Sequence, residues 1–86
     1  MVQRTSAFDQ WSPEEGDKLT EYSHSNGCFS EIRLRRTHGG LSGIMFIGVY
    51  REDGRAIAEQ IFDISDESDN EATIWGMDEA KRWVNR

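Results

Sequence analysis

Residues 43–64 read GIMFIGVYREDGRAIAEQIFDI and decide the fold of this 86-residue chain. Two apolar-rich runs of strand length flank Asp53-Gly54. An Asp-Gly pair is typical of a two-residue type I′ turn, because both residues tolerate positive φ. The stretch therefore predicts an antiparallel hairpin whose turn sets the register. The predicted pairs are Glu52 with Arg55, Tyr50 with Ile57, Val49 with Ala58, Ile47 with Gln60, and Met45 with Phe62.

This register makes both faces of the hairpin apolar. One face carries Met45, Ile47, Val49, Ala56, Ala58, Phe62 and Ile64. The other carries Ile44, Phe46, Tyr50, Ile57 and Ile61, together with Gly48 and Glu59. Strands that are apolar on both sides need cover on both sides. We expect a C-terminal helix over residues 77–85 to cover one face and the N-terminal segment, through Phe8, Trp11, Leu19 and Tyr22, to cover the other.

The remaining elements are read from local patterns. Cys28 to Arg36 alternates between apolar and charged residues and predicts a half-buried strand. Residues 13–22 have two interpretations: a helix that begins at Ser12-Pro13-Glu14-Glu15, or a strand over residues 18–24 that turns back through Asn26-Gly27. We expect residues 1–10 to be loosely ordered or draped over the domain, residues 63–71 to form an acidic loop, and residues 72–75 to form a short strand before Gly76 turns the chain into the helix.

Together these patterns predict a single small α+β domain over residues 1–86. It has an antiparallel sheet of three to four strands, a short N-terminal helix and a C-terminal helix. The chain holds 16 acidic and 10 basic residues, for a formal net charge of −6. Its field repels nucleic acid and anionic membranes. No stretch approaches the roughly 20 apolar residues of a membrane helix, and the first residues lack the apolar core of a secretion signal. We therefore expect a cytoplasmic protein with no membrane partner.

No catalytic or ligand-binding motif stands out in the sequence. The acidic run places Ser68 and Ile74, or Glu71 and Met77, where a calcium loop requires Gly and Glu. His24, His38 and the single cysteine, Cys28, are too few for a structural zinc site. We expect no catalytic residue, no metal and no cofactor.

The charged and aromatic residues instead indicate binding. The candidate acidic surface for a basic protein partner comprises Glu52, Asp53, Glu59, Asp63, Asp66, Glu67, Asp69 and Glu71. Arg33, Arg35 and Arg36 form the alternative, a β-ribbon contact to nucleic acid. Trp11 and Trp75 are candidate interface aromatics, because tryptophan is enriched at binding hot spots.

These features predict a small non-enzymatic protein that acts through protein–protein interaction. An inhibitor from a phage or other mobile element, which occupies the basic surface of a nucleic-acid-handling protein, is one such protein. The alternatives are a nucleic-acid-binding module and a structural or dimerisation domain, and the chain is either a monomer or a homodimer.

Two stretches resemble parts of known families. Residues 11–19, WSPEEGDKL, resemble the opening of a Myb-type DNA-binding repeat. Residues 45–84, with Glu52-Asp53-Gly54 in the hairpin and TIWGMDEA at 73–80, are similar to the strand-strand-strand-helix layout of HicB-like antitoxins, which implies a protein that inhibits by binding. The chain lacks the later helices of the first family and the Pro-Gly-Cys segment of the second, so membership of neither is inferred.

Overall fold

The computed structural model describes residues 2–36, 42–65 and 67–85. The elements in chain order are α1 (Ser6–Trp11), β1 (Lys18–Ser23), β2 (Phe29–Arg36), β3 (Gly43–Tyr50), β4 (Ala56–Ile64) and α2 (Asp69–Val84). The four strands form one antiparallel sheet in the order β1-β2-β3-β4. The predicted α+β architecture, with a helix at each end of the sequence, is confirmed. Within these ranges no helix is long and apolar enough to cross a membrane.

The hairpin at Asp53-Gly54 forms, but with a longer loop than predicted. Only the glycine of the pair has a positive φ, at 91°. Its amide donates to the Arg51 carbonyl, and the Arg51 amide donates to the Arg55 carbonyl, each at 2.8 Å. The Asp53 carboxylate accepts from the Arg55 amide at 3.0 Å, as aspartate does in turns. The loop is therefore a three-residue one that ends in a left-handed glycine, and the predicted Glu52–Arg55 pair is wrong.

A bulge early in β4 follows this loop and changes the predicted faces. The pairs from Val49–Ala58 through Met45–Phe62 are confirmed, but Tyr50 pairs with Ala56 instead of Ile57. Ile57 is the extra residue of the bulge, and it packs against the core beneath α2. The predicted register placed Ala56 on the same face as Met45 and Ile57 on the opposite face. The bulge reverses both assignments.

The Asn26-Gly27 hairpin repeats this geometry and decides between the two interpretations of residues 13–22. The Gly27 amide donates to the His24 carbonyl at 3.1 Å, and the His24 amide donates to the Cys28 carbonyl at 2.8 Å. The turn joins β1 to β2, so the strand interpretation is confirmed and the helix over residues 13–22 is wrong. The short N-terminal helix lies earlier, at Ser6–Trp11, where the Thr5 hydroxyl caps it.

Helix α2 begins eight residues before the predicted start at residue 77, so the predicted strand over residues 72–75 is wrong. Ser68 and Glu71 form a capping box, a strong signal for a helix start that outweighs the β propensity of the residues after it. Gly76 lies inside the helix rather than at a turn. A Cβ at this position would lie 3.2 Å from the Met45 sulfur, so the glycine lets the helix approach the sheet closely.

The main core lies between α2 and one face of the sheet. Its buried members are Ile32, Leu34, Met45, Ile47, Val49, Ile64, Ala72, Ala80 and Trp83. Helix α2 lies mainly over β2 and β3 and contacts β4 less. On this face of β4, Ile64 is buried, whereas Ile57, Ala58 and Phe62 are only partly buried.

The N-terminal segment covers the opposite face through two of the four predicted side chains. Phe8 packs edge-on against Phe46, with ring centroids 5.6 Å apart, and Trp11 lies 6.0 Å from the same ring. Leu19 is 44% exposed on the edge strand β1. Tyr22 packs on the α2 side instead, where its hydroxyl donates to the Met77 carbonyl at 2.7 Å.

Candidate protein-binding groove

A groove of about 560 Å³ lies between the end of β4 and the first turns of α2. It exists because α2 is centred on β2 and β3, which leaves the apolar side chains of the edge strand β4 without full cover. Phe62 and Ile64 line the groove from β4, and Ala72 and Trp75 line it from α2. The buried Met45 of β3 also contributes. These five residues form the apolar part of the lining, at the edge of the main core.

Three exposed acidic residues, Asp63, Glu67 and Glu71, also line the groove. Asp63 lies between Phe62 and Ile64 in β4, so its side chain is on the opposite face of the sheet, and the acidic rim of the groove consists of Glu67 and Glu71. Hydrogen bonds from its own backbone amide and from the amide of Ser65 lower the pKa of Glu67, so this carboxyl is ionised at neutral pH. Glu71 accepts from the Ser68 amide in the capping box. Within the ranges that the structure describes, none of the three forms a salt bridge. The rim therefore keeps its negative charge.

Trp75 forms an exposed wall of the groove. Its side chain contacts Phe62 edge-on at 5.2 Å between ring centroids, yet the residue stays 43% exposed. The neighbouring Ile74 is 52% exposed. The spacing of Glu71, Ile74, Trp75 and Asp78 places them along one side of the helix, so an apolar pair lies between two acids. Trp11, the other candidate interface aromatic, is only 1% exposed and packs in the N-terminal segment.

The remaining predicted acids lie away from the groove. Glu52 and Asp53 are in the loop at the other end of β4, where Asp53 pairs with Arg55 at 3.0 Å. Asp69 pairs with Arg36 at 2.9 Å, and Glu59 is buried on the opposite face of the sheet. Asp66 lies outside the described residues. Of the predicted acidic surface, among the residues that the structure describes, only the Glu67 and Glu71 side chains come together at the groove, and Asp63 contributes to it from β4 with its side chain on the other face.

Each of the three candidate nucleic-acid-binding arginines pairs with a carboxylate. Arg33 lies 3.3 Å from Glu31, and Arg36 bonds to Asp69. Arg35 binds Asp17 through two nitrogens at 2.8 Å each. These hydrogen bonds lower the pKa of Asp17 to about 2, against the opposing effect of its burial. The local charge of the arginine cluster is therefore compensated.

The structure also contains a buried charged cluster that the sequence reading missed. Glu31, Gly48 and Glu59 lie in one row across β2, β3 and β4. The two glutamates are 5% and 7% exposed. Gly48 has no side chain, so the Tyr50 hydroxyl occupies the space above it, 2.2 Å from where a Cβ would be. This hydroxyl donates to Glu59 and lies 3.2 Å from Glu31.

Arg4 closes this cluster from the N-terminal segment. Its guanidinium bonds to Glu31, donates to the Tyr50 hydroxyl at 2.9 Å and stacks on the Phe8 ring at 4.0 Å. Burial, the largest single effect, would raise the pKa of Glu31, but the hydrogen bonds from Arg4 and Tyr50 and the charges of Arg33 and Arg4 together outweigh it, and the pKa is lowered. Burial, with the hydrogen bond to Glu59, raises the pKa of Tyr50. The cluster is a closed ion-pair network that attaches the N-terminal segment to the sheet.

One feature of the sequence could have predicted the row formed by Glu31, Gly48 and Glu59. The predicted register already placed Glu59 beside Gly48, on a face of the hairpin that is otherwise apolar. A lone carboxylate there requires a cation, but nothing local identifies that cation as Arg4, which precedes Glu59 by 55 residues.

No group of three or more His, Cys, Asp or Glu side chains is arranged to hold a metal ion in the portion of the chain that the structure describes. Cys28 is buried as a free thiol, and His24 bonds to the Ser30 hydroxyl. His38 lies outside the described residues.

Comparison with known proteins identifies no relative: no family model matches the chain, and neither the curated proteins nor the solved structures contain a significant match.

Proposed function

We propose that this chain is a small non-enzymatic binding domain that acts by occupying a basic surface of a protein partner. The observation that supports this proposal best is the groove between β4 and α2. It combines apolar lining residues, an exposed tryptophan and the two carboxylates of Glu67 and Glu71, which form no salt bridge in the described structure. Interfaces commonly join an aromatic anchor to a surrounding polar rim. An inhibitor that competes with nucleic acid for a basic surface, such as one carried by a mobile element, would act in this way.

The charge of the chain supports the same proposal. The formal net charge is −6, and complementary charge accelerates association with a basic partner more than it adds to affinity. Because the rim carboxylates are exposed, each pairing with a partner cation contributes little by itself, on the order of 0–1 kcal/mol. The binding should therefore weaken as salt is added, while the apolar contacts persist.

Affinity capture from host lysate tests this function. The immobilised chain should retain a basic protein, and added salt should weaken the capture. The variant Glu67→Gln/Glu71→Gln removes two rim charges, keeps a residue that suits the capping box at position 71, and should reduce capture. The matched control Glu15→Gln/Glu21→Gln removes the same charge from exposed positions outside the groove and should not. Equal capture by both variants would show that the rim has no special role, and the absence of any basic partner would contradict the proposal.

The same purified protein distinguishes the two alternatives. Titration against labelled DNA and RNA at low salt tests a nucleic-acid-binding module, for which binding should weaken steeply with salt and on replacement of Arg35. Sedimentation at micromolar concentration tests a dimerisation domain. A monomer that does not bind nucleic acid leaves the protein-binding proposal as the favoured one.

A further inference from the structure

We infer that the N-terminal segment, residues 2–11, can be donated to a second copy of this chain, so that two copies exchange their segments and form a dimer. Each segment then covers the same sheet face on the other copy and makes the same contacts there. The inference goes beyond the proposed function, because the groove between β4 and α2 lies on the opposite face of the sheet and stays free.

The hinge between this segment and β1, residues 12–16, is held in a strained conformation. Ser12 has φ 51° and ψ 84°, and it is the only non-glycine residue of the described ranges with a positive φ. A residue with a Cβ disfavours this left-handed backbone. Pro13 adds to the strain, because a proline restricts the residue before it to extended backbone. An open hinge lets Ser12 become extended and releases the strain.

Opening the hinge uncovers no part of the core, because residues 12–16 are all exposed already. Two hydrogen bonds close the hinge. The Glu14 amide donates to the Asp17 carboxylate at 3.0 Å, and the Asp17 amide donates to the Glu14 carbonyl at 3.2 Å. Both involve an exposed hinge residue, so water takes the place of the lost partner at small cost. Short hinges under strain favour the exchange of a segment between two copies.

The contacts of the N-terminal segment are ones that a second copy can reproduce, because they reach groups that lie beyond the hinge in the sequence. They are therefore the same whether segment and sheet belong to one copy or to two. Among them are the bond of Arg4 to Glu31, the edge-on contact of Phe8 with Phe46 at 5.6 Å between centroids, and the hydrogen bond from the Trp11 indole to Asp17 at 3.1 Å.

The balance between monomer and dimer therefore depends on the hinge. Helix α1 has six residues, and isolated helices shorter than about 12–15 residues are marginal in water, so the segment is stable only against a sheet. The closed hinge favours the monomer, because it presents the segment to its own sheet at an effective concentration of roughly millimolar. Release of the strain favours the dimer. We expect a dissociation constant of about 1 mM or somewhat below.

The test uses the full chain, with ¹³C- and ¹⁵N-labelled protein mixed with unlabelled protein, unfolded in urea and refolded together at about 1 mM so that segments can exchange. Isotope-filtered NMR should show contacts between the Phe8 ring of one copy and the Phe46 ring of the other. Sedimentation should show a dimer that dissociates on dilution to about 10 µM. A chain that remains monomeric at about 1 mM, or a dimer without these intermolecular contacts, would overturn the inference.

Variants of the hinge provide the second measurement. Ser12→Gly relaxes the closed hinge, because glycine accepts positive φ, and should weaken dimerisation by at least about tenfold. Ser25→Gly makes the same change at an exposed position of the β1–β2 loop and should alter dimerisation by less than about twofold. Equal dimerisation of these two variants would also overturn the inference.

Deletion of Glu14 and Glu15 removes the residues that let the hinge reverse direction. The shortened chain should form the exchanged dimer even at about 10 µM, because its own segment no longer reaches the sheet. A folded deletion variant that is monomeric at this concentration would contradict the inference. If this variant fails to fold, the intermolecular contacts of the native chain and the comparison of Ser12→Gly with Ser25→Gly decide the question.

Discussion

Tyr50→Phe is the sharpest test of the buried cluster, because it removes one oxygen and little else. In the native chain this hydroxyl donates to Glu59, lies 3.2 Å from Glu31 and accepts from the Arg4 guanidinium at 2.9 Å. Phenylalanine keeps the ring, including its contact with Phe29 at 5.3 Å between centroids. The change in stability therefore reports on the polar contacts of the hydroxyl.

The expected loss follows from the charge and burial of the partners. A hydrogen bond to a charged group contributes about 1.5–3 kcal/mol, and a buried acceptor left without its donor adds to the cost. Glu59 retains the Thr5 amide at 2.6 Å, which limits the loss. We expect Tyr50→Phe to lower the free energy of unfolding by about 2–3 kcal/mol, a large part of the roughly 5–15 kcal/mol typical of a whole domain.

Tyr22→Phe is the matched control on the other face of the sheet. Its hydroxyl donates to a neutral acceptor, the Met77 carbonyl, at 2.7 Å, so its loss should cost about 1 kcal/mol. Both variants are compared by urea unfolding at neutral pH, followed by tryptophan fluorescence, with the dependence of the unfolding free energy on urea unchanged. A Tyr50→Phe variant that loses no more stability than Tyr22→Phe would refute the view that this hydroxyl supports the two buried carboxylates.

Three further substitutions test other contacts. The Arg35 guanidinium lowers the pKa of Asp17 from 3.8 to about 2, which contributes about 2 kcal/mol to folding at neutral pH. This contribution is present above the unfolded pKa of 3.8 and is lost as the pH falls through about 2. Asp17→Asn should therefore be less stable than the native chain at neutral pH, and the stabilities of the two should converge in acid denaturation. Parallel pH profiles of stability would contradict this. Gly48→Ala places a Cβ 2.2 Å from the Tyr50 hydroxyl and should cost about 2 kcal/mol in urea unfolding, whereas an unchanged midpoint would show that the ring can move aside freely. Ser68→Ala should cost about 1 kcal/mol in thermal unfolding followed by circular dichroism, with Ser68→Thr close to the native value; equal melting of both variants would argue against the cap.

The residues of the candidate groove and those of the buried cluster differ in how well the sequence predicted them. Glu67, Glu71 and Trp75 were all candidate binding residues from charge and residue type alone. Their assembly around one groove depends on where α2 crosses the sheet, which is a long-range property. The distinction between Trp75 and Trp11 has the same origin, because residue type makes both of them candidates and only packing decides which one is exposed.

The sequence by itself determined the elements whose signals are local. Alternation specified β2, since a period of two places successive side chains on opposite faces of a strand. Apolar runs of strand length specified β3 and most of β4, as is typical of strands covered on both faces. The Asp53-Gly54 pair located the central hairpin, because the glycine accepts a left-handed backbone at little cost. The Asn26-Gly27 pair gave the other hairpin as one of two interpretations of residues 13–22, and the structure decided between them. The register of the central hairpin was correct from Val49 to Met45, where the apolar pattern restrains it.

Only the tertiary structure decided the bulge at Ile57, the cover of each sheet face and the contacts of the charged residues. In a bulge, one extra residue without a cross-strand partner moves a side chain to the other face of the sheet. The two-residue periodicity of a strand sequence does not predict where this occurs. Arg4 reaches Glu31 across 27 positions in the chain, so their pairing follows from the path of the N-terminal segment over the sheet. These outcomes depend on contacts between segments far apart in sequence, whereas local propensity describes each segment alone.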